Sequence, residues 1–333
     1  MDHLGRARKT TSIEWTDRTW NPVRGCSRVS EGCRHCYAET LAARFSLPGN
    51  TFHGFAERTP AGPRWTGEVA LLRDRLAEPL AWKQPSRVFV NSMSDLFHES
   101  LPDTAIDQVF AAMALAPQHT FQILTKRVGR MRSYLTAEGR HAAIVAAMDM
   151  PSWMPARRRF PRVPENWPLS NVWLGPSIEN RMAANEHFPL ASDLGEQGWH
   201  VMVSMEPLLE HVFVSARFLR LGPQAWVIVG GESGPGARPF DICWARAIVA
   251  QCQSAHVPVF IKQLGTHIHT RNDDGWEGND TPRSWPMDTA FDEDLDGFRD
   301  GYQGAPVRVR LNDRKGSDMA EWPLGLRVRE FPA

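Results

Sequence analysis

Cys26, Cys33 and Cys36 lie within residues 25–39, GCSRVSEGCRHCYAE, in the spacing C-x6-C-x2-C, and they are three of the chain's five cysteines. Two thiolates separated by two residues can reach one metal centre from a tight turn, and the third closes the set from across a loop. Core packing accounts poorly for such clustering, which signals metal or redox chemistry. A structural zinc ion takes four protein ligands. In a Cys3His set the fourth would be His35 or His53, and His35 lies between two ligands, where it can hardly turn onto the same ion. A [4Fe–4S] cluster takes thiolate ligands, normally four, so three would leave one iron open to a substrate or cofactor. Gly25 and Gly32 each precede a cysteine, as a loop folded closely around a cluster requires. The following YAETLAARF reads as a helix, which puts Cys36 at a helix N-terminus, where the dipole favours a thiolate.

The surrounding IEWTDRTWNPVRGCSRVSEGCRHCYAE resembles a bacteriophage-associated family of three-Cys-motif proteins that are radical S-adenosylmethionine (SAM)-like. Its cysteine loop is a spacing variant of the C-x3-C-x2-C of most radical SAM enzymes. Further matches are FVNSMSDLFHE (89–99), ILTKR (123–127), VWLGPSIEN (172–180), SMEPLLE (204–210), VIVGGESGPGARP (227–239) and FIKQLG (260–265). The resemblance covers residues 10–265 and continues more weakly to the end. It implies a [4Fe–4S] cluster on Cys26, Cys33 and Cys36, a bound SAM, and an electron donor of the flavodoxin or ferredoxin type. It also implies a partner protein encoded nearby. The strand-end pattern is distantly similar to the spore photoproduct lyase group, which acts on DNA. That likeness and the phage association imply a nucleic-acid or nucleotide substrate.

The elements that must carry these residues are legible in outline. A chain of 333 residues with 42% hydrophobic content can build one large domain or two small ones. With 38 basic and 38 acidic residues it offers no global attraction to nucleic acid or membrane, so any such binding needs a local patch. There is no apolar run long enough to span a bilayer. The opening MDHLGRARKTTSIEW has no apolar signal core, and the expectation is a reduced, cytoplasmic protein. The 13 tryptophans are read as core and loop packing, with base stacking as the sharper alternative.

Residues 1–12 read as a polar, flexible arm. Residues 13–23 are β-rich, 37–46 helical, 47–67 a Gly/Pro-rich loop, and 68–82 helical by the spacing of Leu71, Leu72, Leu76 and Leu80. From residue 87 strands and helices alternate: strands at 87–93, 121–125, 172–175, 199–205, 226–230 and 257–263, and helices at 103–116, 126–136, from about 180, and at 241–255. Asp103 is the expected N-cap of the first of these helices. Alternation implies parallel βα units, and the resemblance makes them a partial (β/α)6 barrel over 13–265. Residues 138–170 interrupt it with a Pro/Arg-rich insertion, and 266–333 read as an irregular C-terminal extension or lid.

Polar residues collect where the strands end, which in a parallel barrel is where function sits. Asn91, Ser92 and Asp95 follow one strand, Lys126 the next, then Ser177 and Glu179, Glu206, and Glu232. By analogy with radical SAM enzymes, Asn91, Ser92 and Asp95 would meet the methionyl amine. Lys126 would neutralise its carboxylate. Ser177 and Glu179 would hold the ribose, and Glu206 and Glu232 would serve ribose or substrate. Arg157, Arg158 and Arg159, with Trp153 and Trp167, are candidates for gripping a nucleic-acid strand. GGESGPG (230–236) lacks the ending of a phosphate loop. Cys243 and Cys252 read as packing, and His256, His267 and His269 lack a partner cysteine for a metal site. The alternative to a radical SAM enzyme is a non-catalytic, zinc- or cluster-stabilised nucleic-acid-binding module, which accounts for the cysteines but not for the ring of strand-end groups.

Overall fold

A computed structural model describes residues 10–149, 167–271 and 306–332. Arg157, Arg158, Arg159 and Trp153 lie outside the described residues.

Seven strands form the main sheet: β1 (Arg18–Trp20), β2 (Arg87–Val90), β3 (Thr120–Thr125), β4 (Val172–Pro176), β5 (His200–Met205), β6 (Ala225–Gly230) and β7 (Val259–Gln263). Their order in the sheet is their order in the chain, and neighbours pair in parallel from β1 through β5 and again at β6–β7. Parallel strands laid down in sequence are the topology of a partial (β/α) barrel, as the alternation of strands and helices predicts. All residues of β4 and β6 are buried, because strands covered on both faces need apolar side chains on both.

The longer helices are α1 (Tyr37–Arg44), α2 (Asp103–Ala114), α3 (Val128–Leu135), α4 (Arg140–Asp149), α5 (Arg181–Glu196) and α6 (Ile242–Ser254). Asp241 caps α6, its carboxylate accepting from the Cys243 amide at 3.0 Å. No helix among the described residues is long and apolar enough to cross a membrane.

Three local expectations are corrected. Residues 68–82 are not one helix: they form a two-residue strand (Ala70–Leu71), a 3-10 turn (Arg73–Arg75) and a single helical turn (Glu78–Ala81). Pairing of Ala70–Leu71 with Val23–Arg24 overrides the helical spacing of the leucines. The 47–67 loop contains a hairpin, Ala56–Thr59 with Gly62–Trp65. Asp103 is not the N-cap but the first residue of α2, behind Pro102; its carboxylate pairs with Arg130 and Arg140. The segment from 138 begins with α4, which is tied to α2 by Arg140 on Asp107 at 2.7 Å.

The described residues fall into two compact units, Met1–Ser177 with Asp193–Met202, and Ile178–Ser192 with Val203–Ala333. In the first, β4 and β5 approach so closely that a Cβ on Gly175 would stand 1.7 Å from the Met202 carbonyl oxygen. Gly175→Ala is therefore expected to destabilise the protein by about 1–3 kcal/mol, as overpacked cores do, read as a lower urea midpoint at unchanged slope. In the second, the last described residues run along β7: the Ile261 amide donates to Val328 at 2.9 Å and the Glu330 amide to Val259 at 3.0 Å. An otherwise open sheet edge is thereby covered. Trp226 anchors the same segment through its indole N–H on the Glu330 carbonyl, 3.0 Å.

Candidate functional site

The cysteine loop leaves β1 through Val23–Arg24 and is held at both ends. Gly25 takes φ +89°, and a Cβ there would lie 1.9 Å from the Glu68 carbonyl oxygen, so only glycine fits where the loop turns. Cys33 closes a 3-10 turn (Glu31–Cys33), and Cys36 is the N-cap residue of α1. Glu39 of α1 is 1% exposed. It accepts from Arg28 Nε of the loop at 2.8 Å and from the Trp65 amide of the hairpin at 2.9 Å. One carboxylate thus fastens loop, helix and hairpin together.

All five cysteines are free thiols, and Cys26, Cys33 and Cys36 are half-buried. Arg127 Nη1 approaches the Cys26 sulfur at 3.9 Å. Burial, with Asp95 adding to it and Arg127 opposing, pushes the Cys26 thiol up to about 12. Burial raises Cys36, with the nearby Glu39 and Ala38 amides opposing. Zinc gathers its sulfurs within about 2.3 Å of one point. Among the described residues no three His, Cys, Asp or Glu side chains form a group that could hold a metal ion as the thiols stand, and His35 and His53 are both exposed. Thiolates on a cluster need no common point, since each binds its own iron. A loop carrying three free thiols, with the Arg127 guanidinium beside the Cys26 sulfur, has the donor type such a cluster takes.

Beneath the loop lies a buried polar network that sequence reasoning did not single out. Arg127, directly after β3 and 6% exposed, donates to Asp95 Oδ2 (3.1 Å), Glu99 Oε2 (2.7 Å), the Ser27 carbonyl (3.1 Å) and Ser27 Oγ (2.8 Å). Burial alone would lower the Arg127 pKa; Asp95 and Glu99 more than offset it. His98 accepts at Nδ1 from the Ser100 amide, 3.2 Å, so its Nε2 carries the proton and donates to Ser27 Oγ, 2.9 Å. The motifs TKR and FHE marked these positions as strand-end polar residues, but their partners are distant in sequence.

The expected SAM contacts divide between the two units. In the first, Asn91 is 3% exposed with φ +60°. Its Oδ1 accepts from the Val23 amide at 3.2 Å, and its Nδ2 is a buried donor with no partner. Ser92 Oγ donates to Asn21 Oδ1, 3.2 Å. Asp95 accepts from Thr125 Oγ1 (2.7 Å) and the Phe97 and Lys126 amides (3.0 and 3.3 Å) besides Arg127, so it braces the loop rather than presenting a free carboxylate. Ser177 donates its amide to the Thr125 carbonyl, 2.9 Å. In the second unit, Glu179 is 1% exposed. Glu206 pairs with Lys262 at 2.7 Å while its Oε1 is buried without a partner. Glu232 is engaged by Arg238 through the amide and two guanidinium nitrogens, 2.9–3.1 Å. His267 and His269 share a hydrogen bond of 3.2 Å, and Cys243 and Cys252 are buried in packing.

The profile of the family DUF5131, described as protein of unknown function, matches residues 10–316. No curated protein matches the chain. Among solved structures, a doubly substituted spore photoproduct lyase with bound AdoMet and dinucleoside spore photoproduct is similar at TM-score 0.36 and 12% identity, over 68% of this chain and 59% of that one. A cysteine-to-serine mutant of spore photoproduct lyase is similar at TM-score 0.36 and 12% identity, over 75% and 65%. The chain spans less than two thirds of either structure.

Proposed function

The chain belongs to DUF5131, the protein-of-unknown-function family, and we propose that it is a radical SAM enzyme whose [4Fe–4S] cluster is held by Cys26, Cys33 and Cys36. The observation that carries this reading is three unbridged thiols on one pinned loop, with the Arg127 guanidinium beside the Cys26 sulfur. When bound, such a cluster would supply the electron for reductive cleavage of SAM and so the radical chemistry needed to remove a hydrogen from a nucleic-acid or nucleotide substrate. The protein's own part is to hold and orient. Arg127 fixes Ser27 and sets a positive charge beside the Cys26 sulfur, which favours the thiolate. The unpaired Nδ2 of Asn91 is a donor for a cofactor oxygen; a buried donor left unmatched costs about 1–3 kcal/mol, a cost a bound ligand would remove. Lys126, its amide held on Asp95, takes the methionyl carboxylate, with Ser92 and Ser177 at the neighbouring strand ends.

Two measurements test this. The cluster-loaded protein, reduced with dithionite in the presence of SAM, is expected to release 5′-deoxyadenosine. A reducible cluster that neither binds SAM nor yields 5′-deoxyadenosine or methionine would reject the reading, and a colourless zinc protein would instead support a binding module. Lys126→Ala should weaken SAM binding roughly 10- to 150-fold, the loss of one charge-assisted contact of about 1.5–3 kcal/mol, with iron content unchanged.

A further inference from the structure

Beside the root of the cysteine loop is a cavity of about 320 Å³, lined by Asn21, Arg24, Leu41, Phe45, Phe52, Arg75 and neighbouring apolar residues including Leu72 and Met93. That volume is at the lower end of ligand-binding clefts, about 300–1,000 Å³. Its walls are unlike a core void in two respects. Phe45 and Leu41 are 49% and 37% exposed, so apolar surface stands open to solvent at its edge. The backbone fixes the two segments that carry these phenylalanines, the Phe52 amide donating to the Phe45 carbonyl at 3.0 Å.

Its cations are also poorly neutralised. The Arg24 guanidinium packs 5.5 Å from the Phe52 ring and 5.8 Å from Phe55, and it makes no ion pair among the described residues. Burial and the nearby Arg75 both disfavour its charge, with Asp74 opposing. Among the described residues Arg75 pairs only with Glu78, at 3.5 Å and part-exposed, and such a pair contributes little. Asn21 spends its Oδ1 on Ser92 and Met93, which leaves its amide NH2 as a further donor lining the cavity.

We propose that this cavity is a second ligand site, which takes a planar aromatic group bearing an anion, the chemistry of a nucleotide: the ring against Phe45 and Phe52, the phosphate on Arg24 and Arg75. Aromatic faces accept a base's π-surface, and guanidinium groups suit phosphate through paired N–H donors. The site does not depend on the cluster, so its failure and failure of the radical reading are separable.

The test is equilibrium binding to the full-length protein of AMP, adenosine, inorganic phosphate and a 5′-phosphorylated oligothymidylate, with SAM as competitor. AMP is expected to bind at least tenfold more tightly than adenosine or phosphate alone, and Arg24→Gln or Arg75→Gln to weaken it roughly tenfold or more. Phe52→Ala should weaken AMP while leaving phosphate unchanged. Tighter binding of the oligonucleotide than of AMP would identify the source as a strand end, and the reverse a free nucleotide; either supports the site. The proposal is overturned if AMP does not bind, if adenosine binds equally well, if neither arginine variant changes AMP affinity, or if SAM displaces AMP competitively, which would make the cavity part of the cofactor site. Should Arg24→Gln fail to fold, Arg75→Gln and the comparison of ligands on the unaltered chain still decide.

Discussion

Alanine at Cys26, Cys33 or Cys36 is expected to abolish the broad absorbance near about 400 nm of the anaerobically reconstituted protein, and the triple variant to retain no cluster iron. The effect should be all-or-none, because three thiolates are the whole ligand set of the loop and the nearby histidines, His35 and His53, face solvent. The remaining cysteines cannot substitute: Cys243 and Cys252 are buried in the second unit. A control separates loss of ligand from loss of fold. The loop is held by Glu39 on Arg28 and Trp65, not by the sulfurs, so the variants should keep a native far-UV spectrum and urea midpoint. Full iron content in the triple variant would refute the assignment.

Arg127→Ala should be the most damaging substitution outside the three cysteines. It leaves Asp95, 6% exposed, as a buried carboxylate without its counter-charge, a loss typically about 3–5 kcal/mol. Glu99 is mostly exposed and contributes little by comparison. Arg127→Lys should rescue only in part, since an ammonium keeps the charge but cannot span Asp95, Glu99 and Ser27 from one planar fork. Pairing Arg127→Ala with Asp95→Asn should recover part of the lost stability but not the orientation of Ser27, so cluster retention would stay impaired while the urea midpoint rises. If the single and double variants unfold alike, the buried pair is not the source of the effect.

The same network has a pH dependence. Burial would raise the Glu99 pKa, but the hydrogen bond and charge of Arg127 outweigh it, and the net shift is downward. A carboxyl depressed in the folded state contributes stability that is present above its unfolded value, about 4.3, and is lost as pH falls through the folded value. Glu99→Gln should therefore lower stability modestly at neutrality and flatten its fall below about pH 4.3, so that the two proteins converge in acid.

What the sequence determines by itself is chemistry that depends on residue type and short spacing. Three thiols within eleven residues, 26–36, read as a metal-ligating set whatever surrounds them, because ligation follows from donor atoms and loop reach. Buried parallel strands are equally legible: AWVIVG at 225–230 is apolar throughout because both faces are covered. The helix after Cys36 follows from its local pattern and appears as Tyr37–Arg44.

Only the tertiary structure decides what a strand-end charge is for. Asp95 and Arg127 both read as polar residues after a strand, and nothing local separates a solvated charge from a buried brace. Their pairing spans 32 residues and is made when β2 and β3 align. The leucines of 68–82 carry helical spacing, yet Ala70–Leu71 becomes a strand, because pairing with Val23–Arg24 satisfies backbone groups that a short isolated helix would leave marginal. That pairing also brings Arg75 beside Arg24. A cavity with two cations is thus invisible in a sequence where 51 residues separate them: long-range contacts are set by the packing of whole elements, not by the propensities of the residues that make them.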